Sequence, residues 1–324
     1  MNSIERFNKT MDYKYPDRIP YFEEGIRDDV IEVWRSQGLE TDMNLRKQFP
    51  TDIREEIVLN VDPHPYPKIW PSSEKDLLEF QKRLDPNDPS RLPDNWVRRI
   101  QEWKKRTHVL MLRVHHGLFQ SLGIEDWHRF ADVMYLLSDR PKFVERYMRI
   151  QSQFTAQLVE IALEQVEIDA AIFSEPIGGN HGPLISPDMY EEFALKSYLP
   201  ILAVLKKHNV QWIILRTYAN ARVLIPKILG YGFNCLWACE VNTESMDYVD
   251  LRSCFGKDLR LIGGIDLDIL RKSKAEIMHE LEKTVPPLLA DGGYIPLADG
   301  RVRADIPYKN YLYYRELLCD LTQI

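Results

Sequence analysis

Residues 213–226, IILRTYANARVLIP, are followed by FNCLWACEV (233–241), LRLIGGIDLDIL (259–270) and GGYIPLADGRVRADIPYKNYLYYRELL (292–318), and this succession decides the fold. Four times an apolar run of strand length ends in polar or charged residues and leads into a segment of helical character. Successive βα units put every strand tip on the same side of a parallel sheet, so the rhythm predicts strands whose carboxyl ends open onto one shared site.

Towards the amino terminus the same rhythm continues. Strands are expected at Ile19–Phe22, 55–61 (EEIVLNV), 107–114 (THVLMLRV), 170–173, 212–215, 235–238, 259–262 and 294–296. Helices are expected over 2–13, 28–38, 125–137, 140–165, 188–208, 221–230, 246–255, 267–289 and 308–321, with a helical stretch over 74–106 broken at LDPNDPSRLPDN. Eight strands alternating with helices predict a (β/α)8 TIM barrel with an N-terminal helical extension. Long loops such as DPHPYPKIWP (62–71) would wall its mouth.

Length and composition fit one barrel domain spanning 1–324: 324 residues of which 44% are hydrophobic can bury a large core. A net charge of -7 argues against a nucleic-acid partner, which a basic stripe would serve. The N-terminus is charged throughout, and no segment offers about eighteen uncharged apolar residues, so no membrane association and a cytoplasmic location are expected. Cys235, Cys239, Cys254 and Cys319 are too few for a disulfide framework and sit in apolar runs, which predicts buried free thiols. Cys235 and Cys239 would lie about 13 Å apart on one strand face, too far to share a metal ion. Metalloprotease, redox, phosphate-loop and nucleophile-elbow motifs are absent.

The charged strand tips carry the chemistry. Residues two apart on a strand share a face, so Arg216 and Tyr218 point together at one tip while Glu240 lies at the next. Charges there serve a ligand or each other; the competing reading is a structural Arg–Glu ion pair. Glu175 stands past another strand, before a Gly-Gly-Asn-His-Gly loop. Glu175, Arg216, Tyr218 and Glu240 are therefore the candidate catalytic residues, with His115, His116, His181, Asn220, Asp266, Asp299 and Arg301 as candidate substrate-binding residues. Of His115 and His116 only one can face inward, and His181 either exchanges protons or caps a turn. Arg301 and the nearby Arg303 suit a substrate carboxylate or phosphate, or pair with acids.

ERFNKTMDYKYPDRIPYFEEG (5–25), HGPLISPDMYEEFALKSYLPIL (181–202), LIGGIDLDIL (261–270) and the 292–318 stretch resemble the uroporphyrinogen decarboxylase superfamily over nearly the full length. The resemblance implies a (β/α)8 barrel and one of two activities, porphyrinogen decarboxylation or methyl transfer between small substrates and a corrinoid protein. The decarboxylases carry an arginine-rich clamp resembling RQAGR where this chain reads IPYFEEGIRDDV (19–30), whose Glu23, Glu24, Asp28 and Asp29 would repel a polycarboxylate. The zinc methyltransferases carry His-x-Cys where this chain has Arg216-Thr217-Tyr218, and a later cysteine near Ala298-Asp299. Arginine stays protonated and is no ordinary zinc ligand, so no zinc is expected at that site.

What the resemblance implies is thus a corrinoid-linked methyltransferase acting on a small molecule without the zinc site, its cobalamin supplied by a partner protein. The alternatives are a decarboxylase or related lyase, with Arg216 or Arg301 on the carboxylate and an acid such as Glu175 protonating the carbanion, or a ligand-binding barrel without chemistry. A homodimer is one assembly open to a barrel of this size.

Overall fold

The computed structural model describes residues 1–40, 49–240 and 245–323. Its centre is a seven-stranded, wholly parallel sheet of β1 (Arg54–Val58), β2 (Val109–His115), β3 (Ala170–Glu175), β4 (Trp212–Thr217), β5 (Cys235–Ala238), β6 (Arg260–Ile265) and β7 (Tyr294–Ala298), hydrogen-bonded in that order. A two-residue antiparallel hairpin, Gly178–Gly179 with Gly182–Pro183, extends from the end of β3.

The sheet is strongly curled. β1 and β5 stand four places apart, roughly 19 Å in a flat sheet at about 4.8 Å per neighbour. Yet the Arg54 guanidinium lies 4.4 Å from the ring of Trp237 on β5. Side chains of non-neighbouring strands meet only if the sheet wraps round them, an arrangement consistent with a TIM-like barrel.

Strand parity then sorts the core into two. Val109 and Met111 of β2, Ala170 and Ile172 of β3, Trp212 and Ile214 of β4, and Cys235 and Trp237 of β5 join one interior cluster. The intervening Leu110, Leu112, Ala171, Phe173, Leu215 and Leu236 face the helices in a larger one. Helix Ser3–Met11, started by an Asn2/Glu5 capping box, adds Phe7 and Met11 at four-residue spacing to the interior cluster. It closes the end where the strands begin.

Two expectations need correcting. Ile19–Phe22 forms no strand, although Tyr21 and Phe22 are buried. The segment contacts both margins of the sheet: Asp52 N–H donates to Tyr21 O just before β1, and Ile26 makes a single parallel bridge with Val302 just after β7. A ladder cannot continue there, because Pro20 lacks an N–H and Gly25 turns the chain at φ +100°. The helix expected over 267–289 is instead a 3-10 turn, Leu267–Arg271, and a separate helix, Lys274–Asp291, restarted by the Ser273/Glu276 capping box. EEIVLNV does supply a strand, β1.

All four cysteines are free, but only Cys235 and Cys239 are buried. Cys254 is exposed beside Asp250 and Arg222, on the outer side of helix Tyr248–Phe255, and Cys319 is half-buried. Among the described residues no helix is long and apolar enough to cross a membrane.

Candidate functional site

β1 reads Arg54-Glu55-Glu56-Ile57-Val58, and Arg54 and Glu56, two apart, face the interior. Glu56 Oε1 accepts from Arg54 Nη1 at 2.6 Å and from Arg216 Nη1 of β4 at 2.7 Å. Arg54 Nη2 also donates to Glu24 Oε2 at 3.3 Å. Both guanidiniums flank the Trp237 ring, with Arg216 Cζ 5.5 Å from its centroid. Burial pushes the Glu56 carboxyl up, but Arg216 and Arg54 outweigh it and hold the group below the usual carboxylate range. Burial likewise opposes the charge on Arg216, and Glu56 restores and strengthens it.

This polar cluster is not saturated. Arg54 Nε, Arg216 Nε, Trp237 Nε1 and Glu24 Oε1 are all buried without a hydrogen-bond partner among the described residues. Unpaired buried polar groups cost free energy in a folded chain, so several in one place call for a partner. Tyr218, two residues beyond Arg216, is 40% exposed and borders the cluster, with Cys239, Arg216, Glu24 and Glu240 in its electrostatic surroundings. Burial raises its phenol, as does Cys239, so it stays protonated at neutral pH. Arg113 on β2, in register with Val58, follows Met111 on the interior face and has no ion pair among the described residues.

Glu175 stands elsewhere. It is in register with Thr217, while its neighbour Ser174 is in register with Arg216, so Glu175 points to the helices and not to the interior. Its Oε1 accepts from Leu118 N–H at 2.8 Å, and its Oε2 from the hydroxyls of Tyr198 at 2.6 Å and Tyr190 at 3.2 Å. Complete burial, opposed by those donors, pushes its carboxyl up to about 7. His115 shares this outer compartment after a bulge in β2: its ring lies 4.4 Å from that of Tyr198, and its Nδ1 accepts from Gly117 N–H. Burial, with His116 adding to it, drives the His115 imidazolium well down, so the ring is neutral. Glu175 and His115 thus fasten the turn after β2 to the helices rather than reach a ligand in the interior.

The remaining candidates scatter. His116 Nδ1 is 3.6 Å from Asp62. His181 is exposed at the tip of the hairpin and lines a surface groove with Asn220. Asn220 ties three segments, its N–H donating to Gly179 O, its side chain donating to Ser245 O and accepting from Arg222 N–H. Asp266 caps the 3-10 turn through Asp268 N–H, and Asp299, buried, accepts from Leu267 N–H. Arg301 is exposed and donates to Ile26 O, while Arg303 is bound to Asp268. Glu240 is exposed at the rim with φ +54°, its N–H donating to Asp299 O.

Of the four catalytic candidates, Arg216 and Tyr218 fall together, Glu240 lies at the rim, and Glu175 falls on the other face. Sequence reading missed Arg54, Glu56 and Trp237. A signal was present: a strand with charges at i and i+2 cannot lay that face on an apolar core.

At Arg216-Thr217-Tyr218 the donors are a guanidinium, a hydroxyl and a protonated phenol, a set that does not fit zinc. Among the described residues no three His, Cys, Asp or Glu side chains converge as a metal-binding group. The IPYFEEGIRDDV acids divide: Glu24 pairs with Arg54 and Glu23 with Arg315, whereas Asp28 and Asp29 are exposed in the first turn of helix Asp28–Ser36.

The uroporphyrinogen decarboxylase (URO-D) family model matches residues 125–297, more than half of the chain. No protein of curated function matches. Among solved structures, a methyltransferase from Methanosarcina mazei superposes with a TM-score of 0.61 at 14% identity, covering 99% of each chain. The putative vitamin-B12 independent methionine synthase from Listeria monocytogenes gives a TM-score of 0.43 at 10% identity over 93% of this chain and 95% of its own, too slight a likeness to bear on the fold.

Proposed function

Because this chain belongs to the uroporphyrinogen decarboxylase family, we propose that it stands near the methyltransferase branch and is an enzyme of corrinoid-linked methyl transfer acting on a small molecule without a zinc site. One observation carries the reading: the buried cluster of Arg54, Glu56, Arg216 and Trp237, with its unpartnered N–H groups, lies inside the curled sheet, and the partly exposed Tyr218 stands two residues beyond Arg216. The full-length likeness to a protein titled a methyltransferase agrees with it.

In this reading Arg216 and Arg54 fix the substrate through its oxygen atoms, and Trp237 walls it from water. Tyr218, kept protonated by burial, donates its phenolic proton to the leaving oxygen as the carbon–oxygen bond breaks. A corrinoid carried by a partner protein would supply the methyl-accepting or methyl-donating centre. The exposed rim of Tyr218, Glu240 and Arg301 suits a group that approaches from outside. The decarboxylase reading loses Glu175 as a proton donor, since Glu175 faces the helices.

The test is anaerobic incubation of the protein with free methylcobalamin or reduced cobalamin and a panel of methyl acceptors and donors. A substrate-dependent change in the cobalamin spectrum, lost in Tyr218→Phe, is expected. A spectrum unmoved across the panel would overturn the reading.

A further inference from the structure

The Arg216 side chain makes one hydrogen bond among the described residues, from Nη1 to Glu56. Its Nε is buried and unpartnered, and the Nε/Nη2 edge of a guanidinium is the fork that matches the two oxygens of a carboxylate. Two further buried N–H donors without acceptors, Arg54 Nε and Trp237 Nε1, belong to the same cluster. Trp237 is wholly buried and Arg216 is 6% exposed, so bulk water does not satisfy them. The one unpartnered acceptor of the group is Glu24 Oε1, whose sister oxygen already holds Arg54. Three N–H donors and one carboxylate acceptor ask for a guest with an anionic oxygen pair and a hydroxyl. Glu56 holds one side of each guanidinium and Glu24 a further N–H of Arg54, which leaves the two buried Nε–H groups to meet an anionic oxygen pair.

We infer that the interior site binds a small hydroxycarboxylate, its carboxylate on Arg216, Arg54 and Trp237 and its hydroxyl donating to Glu24. The inference rests on the interior cluster being the substrate site, and is independent of which reaction follows.

Isothermal titration of the full-length protein with glycolate, acetate and ethylene glycol tests it, since these probes carry both groups, the carboxylate alone and the hydroxyl alone. Glycolate is expected to bind about tenfold tighter than acetate, and ethylene glycol to give no binding. Trp237→Phe keeps the ring but removes its N–H and should weaken both acids by about five- to tenfold. Glu24→Gln should erase the preference for glycolate over acetate. Failure of both acids to bind, equal binding of acetate and glycolate to the native protein, or binding of ethylene glycol as tight as that of glycolate would overturn the inference. Acid binding that persists when methyl transfer fails keeps the substrate class and removes the reaction. Methyl transfer without acid binding does the reverse.

Discussion

At Glu175 three donors converge on a carboxyl that no water reaches, and burial still prevails, lifting it from the usual 4.5 to about 7. The folded chain therefore holds this proton more tightly than the unfolded chain. Its stabilising contribution is full below about pH 4.5, declines as pH rises and is gone above about 7, a span on the order of 3 kcal/mol. Urea unfolding between about pH 5 and pH 7.5 should show this decline, and Glu175→Gln should flatten it; an unchanged slope would contradict the assignment. Arg216 behaves differently, because its partner Glu56 keeps Arg54 when Arg216 is removed. Arg216→Ala is expected to cost about 2 kcal/mol by urea unfolding, less than orphaning a buried charge outright. A loss beyond about 4 kcal/mol would mean that Arg54 does not support Glu56 alone.

Elements are joined here by buried hydroxyls as much as by apolar faces. Tyr248, at the start of helix Tyr248–Phe255, accepts from Ala238 N–H at 2.9 Å and donates to Ile262 O at 2.8 Å, linking the end of β5 to β6. Tyr248→Phe leaves both backbone groups without that partner and should cost about 1–3 kcal/mol in thermal or urea unfolding. Gly264 permits the arrangement. It adopts φ +82°, and a Cβ there would meet the Tyr248 ring at 2.5 Å. Gly264→Ala should thus destabilise more than a surface Gly→Ala change, by about 2 kcal/mol or more. A variant as stable as the native protein would mean the ring moves freely. Helix Ser3–Met11 illustrates the apolar side: Phe7 is wholly buried in the interior cluster, although amphipathic spacing alone marks it only as a buried face.

Across the whole molecule, curling of the sheet divides the side chains into a buried concave side and a helix-covered exterior, and thiol chemistry reports on both. Cys254 should react promptly with a disulfide reagent, Cys319 more slowly, and Cys235 and Cys239 only after denaturation, because burial also pushes both of the last two thiols up. Four thiols reacting at one rate in the native protein would contradict the burial of Cys235 and Cys239.

The amino-acid sequence by itself determined the alternation of strands and helices, since apolar runs of period two and amphipathic runs of period 3.6 are local properties. It also determined that Arg216 and Tyr218 share a face, and it carried the family resemblance. It did not determine which face turns inward. Ser174 and Glu175 differ by one residue, and only packing against Tyr190 and Tyr198 sends the carboxylate outward. Nor did it bring Arg54 and Glu56 to Arg216 and Trp237, because those residues are more than 150 positions apart along the chain and meet only when the sheet curls. Periodicity fixes a side chain's position on its own element; its partners across the interior depend on curling of the whole sheet, which no local signal encodes.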